Sequence, residues 1–354
     1  MKGLTAGMGL LLLTSYLFGN IEIGRANDRL EYVNLISQSD KEGVNYALAE
    51  NIQMQNQRLK EPLRFVNWRQ DSGGQVVYEE LNRAETTEIM CVYGRTDLLF
   101  PSCNILDVGS LTSCLISEEL AFKLFGGTDV VGNKVEYQDY EYEIVDVIDS
   151  NIPLFVYELR KNDTTTVLNR ATVSCIQNSP EKTKSEYDKM AGMWELVDYH
   201  MLFYIVRAAY FFVPWILGIG CLISVRKYKK AAHKIVKKKK GERKFCSSIQ
   251  CYWKYNKAWM IWDIVFGIFM LGMIIFTLIQ IEIPQDMIPD QWSDFEFWVQ
   301  YYESKRKNIL VLVTIKKGIV DFFYMVHLYK SAIMLVLCVI EVSIFTHLVR
   351  KYIL

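Results

Sequence analysis

"LISEELAFKLFGGTDVVGNKVEYQDYEYEIVDVI", residues 115–148, contains Gly127-Thr-Asp-Val-Val-Gly132-Asn-Lys134, and so raises the question of a phosphate-binding loop. Such a loop requires its lysine directly after the second glycine and a Ser or Thr after that, with a helix following, so that the amine reaches the terminal phosphates and the hydroxyl reaches Mg²⁺. Here Asn133 displaces the lysine by one place, Val135 takes the hydroxyl position, and the helix-like run 118–124 precedes the glycines. Nucleotide binding is therefore not expected. The stretch predicts instead a strand, a helix stopped in the left-handed region at Gly126-Gly127, and two strands, "NKVEYQ" and "YEIVDVI", joined by a turn at Asp139-Tyr140.

Outward from this stretch, charge is distributed unevenly. The 354 residues carry 40 Lys plus Arg and 40 Asp plus Glu. Residues 24–201 hold 17 basic against 29 acidic side chains, whereas residues 226–257 hold 13 basic side chains and the single acid Glu242. Two compartments would account for that split. Four apolar stretches separate the segments: residues 4–23, 202–225, 258–281 and 331–349. At about 1.5 Å per residue each is long enough for a hydrocarbon core of roughly 30 Å. The first has a second reading as a cleaved signal peptide, with Lys2 ahead of an apolar core and Gly24 and Ala26 behind it. The approach Ile21-Glu22-Ile23 is poor for cleavage and favours an uncleaved span.

Basic segments beside a span stay on the cytoplasmic side, which places residues 226–257 inside and both termini with them. The predicted order is a transmembrane helix at 1–23, an extracytoplasmic domain at 24–201, a second span at 202–225 and a basic cytoplasmic loop at 226–257. A third span at 258–281, an extracytoplasmic segment at 282–330, a fourth span at 331–349 and a cytoplasmic tail at 350–354 complete it. The fold expected is an α+β extracytoplasmic domain on a four-helix transmembrane bundle, an integral membrane protein of the cell membrane.

Within the outer domain, residues 26–60 are rich in helix formers and predict a helix rising from the membrane, interrupted at 37–43. From Arg64 onward "RFVNWRQ", a turn at 71–74, "EIMCVYG" and "LTSCLIS" predict short strands. A further strand is expected at "TVSCIQ" and a helix over 185–198. Strands interleaved with helices give the α+β class.

The run from Cys114 to Ile148 resembles the extracytoplasmic core domain of MacB/FtsX-like ABC transporter permeases. The residues that carry the resemblance are Ser117, Glu118, Ala121, Leu124, Phe125, Gly126, Asp129, Val131, Gly132, Val135 and the strand 144–148, with "VYGRTDLLFPSCNIL" upstream matching the preceding strand and loop. The motif-level match covers residues 92–148, and the four-span order extends it along the chain; the segment 282–330 is longer than the family's final loop. The resemblance implies a permease subunit that works with a separate cytoplasmic ATPase, as a homo- or heterodimer of permeases in membrane lipid. Its output would be export of a substrate or force transmitted to an extracytoplasmic protein partner. The other function class is an ATPase-independent membrane receptor or scaffold with an extracytoplasmic binding domain. No nucleic-acid partner is expected.

No catalytic constellation is legible, so the chain is not expected to be an enzyme or to hold a cofactor. His200, His233, His327 and His347 lack metal-ligand spacing, and Cys246 and Cys251 have no second pair to complete a metal set. Cys91, Cys103, Cys114 and Cys175 fall outside, where either bridges or buried thiols are compatible with the sequence. Arg207, Asp263 and Glu341 interrupt apolar stretches, where a charge is costly unless it faces another helix or water. Arg207 and Asp263 lie close enough to a span end to snorkel, whereas Glu341 sits near mid-span; Pro214 would bend the second span. The inner loop is a topology anchor, with anionic lipid and a cytosolic partner as further roles, and Phe245 and Trp253 are the candidate ATPase-docking residues. In "WSDFEFWVQYY", Trp292, Phe295, Trp298, Val299 and Tyr302 share one helical face, suited either to the bilayer surface or to the outer domain.

Overall fold

The structure is a computed structural model that describes residues 2–39, 43–106, 112–163, 165–175, 179–240, 264, 267–277 and 295–353. It divides into two compact units: Met1–Asp28, His200–Ile283 and Phe323–Leu354 form one, Arg29–Tyr199 and Pro284–Phe322 the other.

The second unit is built on strands. These are β1 (Tyr32–Ser37), β2 (Phe65–Tyr78), β3 (Arg83–Gly94), β4 (Ser113–Ser117), β5 (Lys134–Tyr137), β6 (Tyr140–Ile148), β7 (Leu154–Glu158), β8 (Arg170–Ser174) and β9 (Trp194–Val197). Among the described residues they form one sheet in the order β3-β7-β4-β6-β5-β2-β8-β1-β9, and β2 also pairs with β3. That extra pairing closes a circuit of six strands from which β8, β1 and β9 extend. The β3–β7 and β4–β6 pairs are parallel and the others antiparallel, so the sheet is mixed. Helices α2 (Tyr46–Gln57), α3 (Glu118–Phe125) and α4 (Pro180–Ala191) pack on it. Ala49 and Ile52, Leu120, Ala121 and Leu124, and Tyr187 enter one core with Val33, Leu35, Phe155 and Tyr157.

The opening stretch folds as its residues dictate. The Ser117 hydroxyl accepts the Leu120 amide at 3.2 Å, Glu118 and Glu119 occupy the first turn where the helix dipole favours acids, and α3 stops on Gly126 at φ +83°. Leu120 and Leu124 are fully buried, each worth about 1.5–3 kcal/mol relative to exposure. The hairpin that follows turns on Gln138 and Asp139, at φ 51° and 63°, one residue earlier than the expected Asp139-Tyr140 turn.

Three expectations are corrected. Residues 71–74 are not a turn: β2 runs through them with a bulge between Ser72 and Gly74, and the chain reverses at Glu79–Leu81 and Asn82. Cross-strand pairs from Gly74↔Thr87 to Tyr78↔Arg83 continue the ladder past the bulge, and the buried Val76 anchors it. Residues 26–60 are not one helix, because β1 lies between β8 and β9, sending Val33 and Leu35 into the core at period two. The helix over 185–198 is instead α4, capped by the Ser179 hydroxyl and ended at Gly192, followed by β9. Strand β7, buried at every position, carries no polar alternation and was absent from the sequence reading.

The described residues of the first unit include the helices α1 (Lys2–Asp28), α5 (His200–Lys240) and the greater part of α8 (Ile319–Ile353). Among the described residues, three segments are long and apolar enough to cross a membrane, Gly3–Asn27, His200–Ser224 and Ile319–Val349. In place of the third expected span, the described residues contain a shorter apolar helix, α6 (Gly267–Thr277). The rest of 258–281 lies outside the described residues apart from Ile264. Helix α5 continues past its apolar part, so the basic segment is helical as far as Lys240. A Cβ on Gly19 would meet the Tyr210 hydroxyl at 1.9 Å; its absence lets that hydroxyl reach the Ser331 carbonyl at 2.7 Å and ties α1, α5 and α8 together.

Candidate functional site

Two sets of polar side chains stand out, one in each unit. In the helical unit, Glu341 on α8 is 7 % exposed; its Oε1 accepts the Ser15 hydroxyl at 3.1 Å and its Oε2 is buried without a hydrogen-bond partner among the described residues. Around it Leu12, Val213, Cys338 and Val342 form an apolar cluster. Arg207 on α5 is partly buried, its guanidinium 5.9 Å from the Phe203 ring centroid. Asp263, Phe245 and Trp253 lie outside the described residues. A second acid, Glu22, was singled out in the sequence only as a poor approach to a cleavage site. Its buried carboxylate meets Arg25 at 2.8 Å and His327 Nδ1 at 2.7 Å, joining α1 to α8. The signal available was an acid inside the first apolar stretch, without a clue to its partner.

In the sheet unit, Asp321 is fully buried in the first turn of α8. Arg170 on β8 approaches its Oδ2 at 2.6 Å, the Gly318 amide donates to the same oxygen at 2.8 Å, and the Tyr199 hydroxyl donates to Oδ1 at 2.9 Å. Asp321 thus satisfies an amide left open by the helix start while pairing with a partly buried guanidinium. Arg170 also donates to the Lys316 carbonyl, and its guanidinium lies 5.0 Å from the Trp68 ring centroid. The Ile319 amide donates to Gln70 Oε1 on β2 at 2.9 Å. Behind this, Trp68 Nε1 donates to Thr172, which donates to Asn34 Oδ1, so β2, β8 and β1 brace the same point. None of these residues was a sequence candidate. Asp321 three residues after Gly318 resembles a helix start, but Arg170 is unrelated to it in sequence.

Helix α7 (Phe295–Thr314) packs against β9 within this unit. Lys305 pairs with Asp198 at 3.0 Å, Asn308 and Ser304 donate to Glu181 at 3.0 and 2.9 Å, and Lys307 pairs with Glu195 at 3.5 Å. A cleft of about 350 Å³ opens among α4, β9 and α7, lined in part by Glu181, Lys184, Asp188, Glu195 and Lys307. Helix α7 packs on the outer domain through Ser304, Lys305 and Asn308, and leaves Phe295, Val299 and Tyr302 of the "WSDFEFWVQYY" face exposed.

The phosphate-loop look-alike is spent on structure. The Gly132 amide donates to the Ile144 carbonyl at 2.8 Å, the Asn133 amide to Val130 at 3.0 Å, and Lys134 pairs with Glu141 at 2.9 Å. Cys91, Cys103, Cys114 and Cys175 are thiols; burial pushes the first and third well up and Cys103 up to about 11, with Asp146 and Glu143 adding to the effect on Cys103 and Cys114 respectively. No group of three or more His, Cys, Asp or Glu side chains suited to a metal occurs among the described residues.

No protein-family model matches the chain, and no curated protein matches it. Among solved structures, the sheet unit is similar to the periplasmic region of MacB from Actinobacillus actinomycetemcomitans, at 11 % identity and a TM-score of 0.35 over 45 % of this chain and 83 % of that one. The extracellular domain of the noncanonic ABC-type transporter YknZ from Gram-positive bacteria matches at 14 % identity and a TM-score of 0.34, over 47 % of this chain and 100 % of that one.

Proposed function

We propose that this chain is a permease subunit of an ABC transporter, working with a separate cytoplasmic ATPase to export a substrate or to transmit force to the extracytoplasmic side. The layout carries the reading. A sheet unit is set in the sequence between two helices of membrane-crossing length, and the same unit holds the first turn of a third through Asp321. The motif that resembles the permease family, residues 115–148, folds into the helix, left-handed stop and hairpin that the resemblance implies. In this reading both termini and the basic segment are cytoplasmic, the permeases act as a dimer, and the chain performs no catalytic step itself. Arg207, Asp263 and Glu341 are polar contacts that rearrange within the bundle, and Phe245 and Trp253 meet the ATPase.

Affinity purification of the tagged full chain from native membranes, followed by mass spectrometry and an ATP hydrolysis assay, tests this. A co-purifying phosphate-loop ATPase is expected, with hydrolysis altered by Phe245→Ala/Trp253→Ala while membrane insertion is preserved. Recovery of the chain without any ATPase, and outer function in its absence, would leave the receptor or scaffold reading in its place.

A further inference from the structure

Helix α7 wears its amphipathicity inside out. At 100° per residue, Phe295, Val299, Tyr302, Ile309, Leu310 and Val313 fall within an arc of about 100°, with Arg306 at its centre. Exposure confirms the stripe: Phe295 is 82 % exposed, Val299 59 %, Tyr302 69 %, Leu310 63 % and Val313 75 %. The opposite face, with Ser304, Lys305 and Asn308, is the one that grips α4 and β9 through ions and amides. Single exposed apolar residues on a protein need no explanation, whereas a contiguous stripe along a 20-residue helix marks an interaction surface.

We infer that this stripe is a lipid-binding face, seated at the headgroup–acyl boundary of a bilayer. Three observations select lipid. The chain passes from Thr314 to Ile319, the first residue of an apolar segment long enough to cross a membrane, over a connection that spans at most about 17 Å when fully extended. The stripe is therefore tethered close to the point where α8 meets a bilayer. Its composition is that of an interfacial helix, with aromatic Phe295 and Tyr302 and aliphatic Val299, Leu310 and Val313 on one side. The exposed cations Arg306 and Lys316 lie in the half nearer α8, suited to phosphate headgroups, while the exposed acids Glu296 and Glu303 lie toward the other end. The inference requires α8 to enter a membrane and does not depend on an ATPase.

The test is photocrosslinking of the full chain in nanodiscs of phosphatidylcholine with and without phosphatidylglycerol, carrying benzoylphenylalanine at position 299, 302 or 310. Lipid-mass adducts are expected at all three positions, and cross-links within the chain at the buried position 311. In mixed nanodiscs, adducts at 302 should favour phosphatidylglycerol, and Arg306→Gln should lower that preference by up to about fivefold. Adducts to a second copy or to another protein at 299, 302 and 310, or lipid yields no higher than at 311, would overturn the proposal. An unchanged preference in Arg306→Gln would overturn the role given to its charge.

Discussion

Asp321 and Arg170, 151 residues apart, close an ion pair at 2.6 Å in which the carboxylate is fully buried. The carboxylate is fixed from both sides, because the Tyr199 hydroxyl and the Gly318 amide use its remaining lone pairs. An acid in a first helical turn also gains from the positive end of the helix dipole.

Removing one partner of such a pair leaves the other charge stranded, which costs about 3–5 kcal/mol. Asp321→Asn and Arg170→Met are each expected to destabilise the sheet unit by that order. The double variant Arg170→Met/Asp321→Leu should recover part of the loss. Thermal unfolding of the full chain in detergent checks the order, and additive losses in the double variant would mean that the two residues act separately.

Gly126 tests the reading of the opening stretch. It sits at φ +83° in open space, with the nearest side-chain atom for a Cβ at 3.9 Å, so any penalty comes from backbone strain. Gly126→Val should cost about 1–2 kcal/mol and Gly126→Asn less. Equal denaturant midpoints for the two variants would count against a strained stop. Lys134→Ala, at the start of β5, should leave the midpoint where it is.

In the helical unit, Gly19→Ala drives a methyl into the Tyr210 hydroxyl. Overpacking of this kind costs about 1–3 kcal/mol. A lower melting temperature in detergent is expected, and the losses from Gly19→Ala and Tyr210→Phe should combine less than additively, since the double variant lacks the hydroxyl that the methyl meets first. Additive losses would place the strain elsewhere.

Asp97 predicts an acid-sensitive contribution. Burial works to raise its carboxyl, but Arg95 at 3.1 Å and Arg64 at 2.7 Å outweigh it and hold the group below the ordinary carboxylate range. A depressed value stabilises the fold above the unfolded pKa of about 3.9 and the gain disappears as pH falls through the folded value. Asp97→Asn should therefore lower stability at neutral pH and flatten the decline below about pH 4. A variant whose acid limb matches the parent's would show that other carboxylates set it.

The orientation proposed from charge is open to direct labelling. A membrane-impermeant maleimide applied to intact cells should modify Ser72→Cys and spare Lys238→Cys, on a background lacking native thiols. The reverse pattern would invert the topology.

Features legible in the sequence were those specified locally. Helix α3 announces itself through Ser117, two acids and a terminal glycine, and the β5–β6 hairpin through alternation around a polar turn. Strands β1 and β9 are short, and each owes its state to a neighbour far along the chain, so helix formers near Tyr32 pointed the wrong way and the helix expected over 185–198 ends at Ala191, before β9. Asp71-Ser-Gly-Gly74 has turn composition, yet a bulge uses the same residues when the ladder beyond them is sound. Glu341 was found because a charge in an apolar run is conspicuous on its own. Arg170 and Asp321 were not, since neither is unusual until the fold brings them together.

The pairing of β1 with β9 bears on how the sheet unit would respond to a pull. Asn34 lies opposite Val197 in an antiparallel ladder, so the chain enters and leaves this part of the unit on adjacent strands. If both ends are drawn the same way, the ladder carries no load across it and the sheet is dragged as a solid body. Drawn apart, those ends open like a zipper from the Val197 side, each rung taking the strain in turn, which is the weakest way to load hydrogen bonds that would resist together in shear. The unit is therefore stiff toward motion shared by its two ends and yields first to motion that separates them.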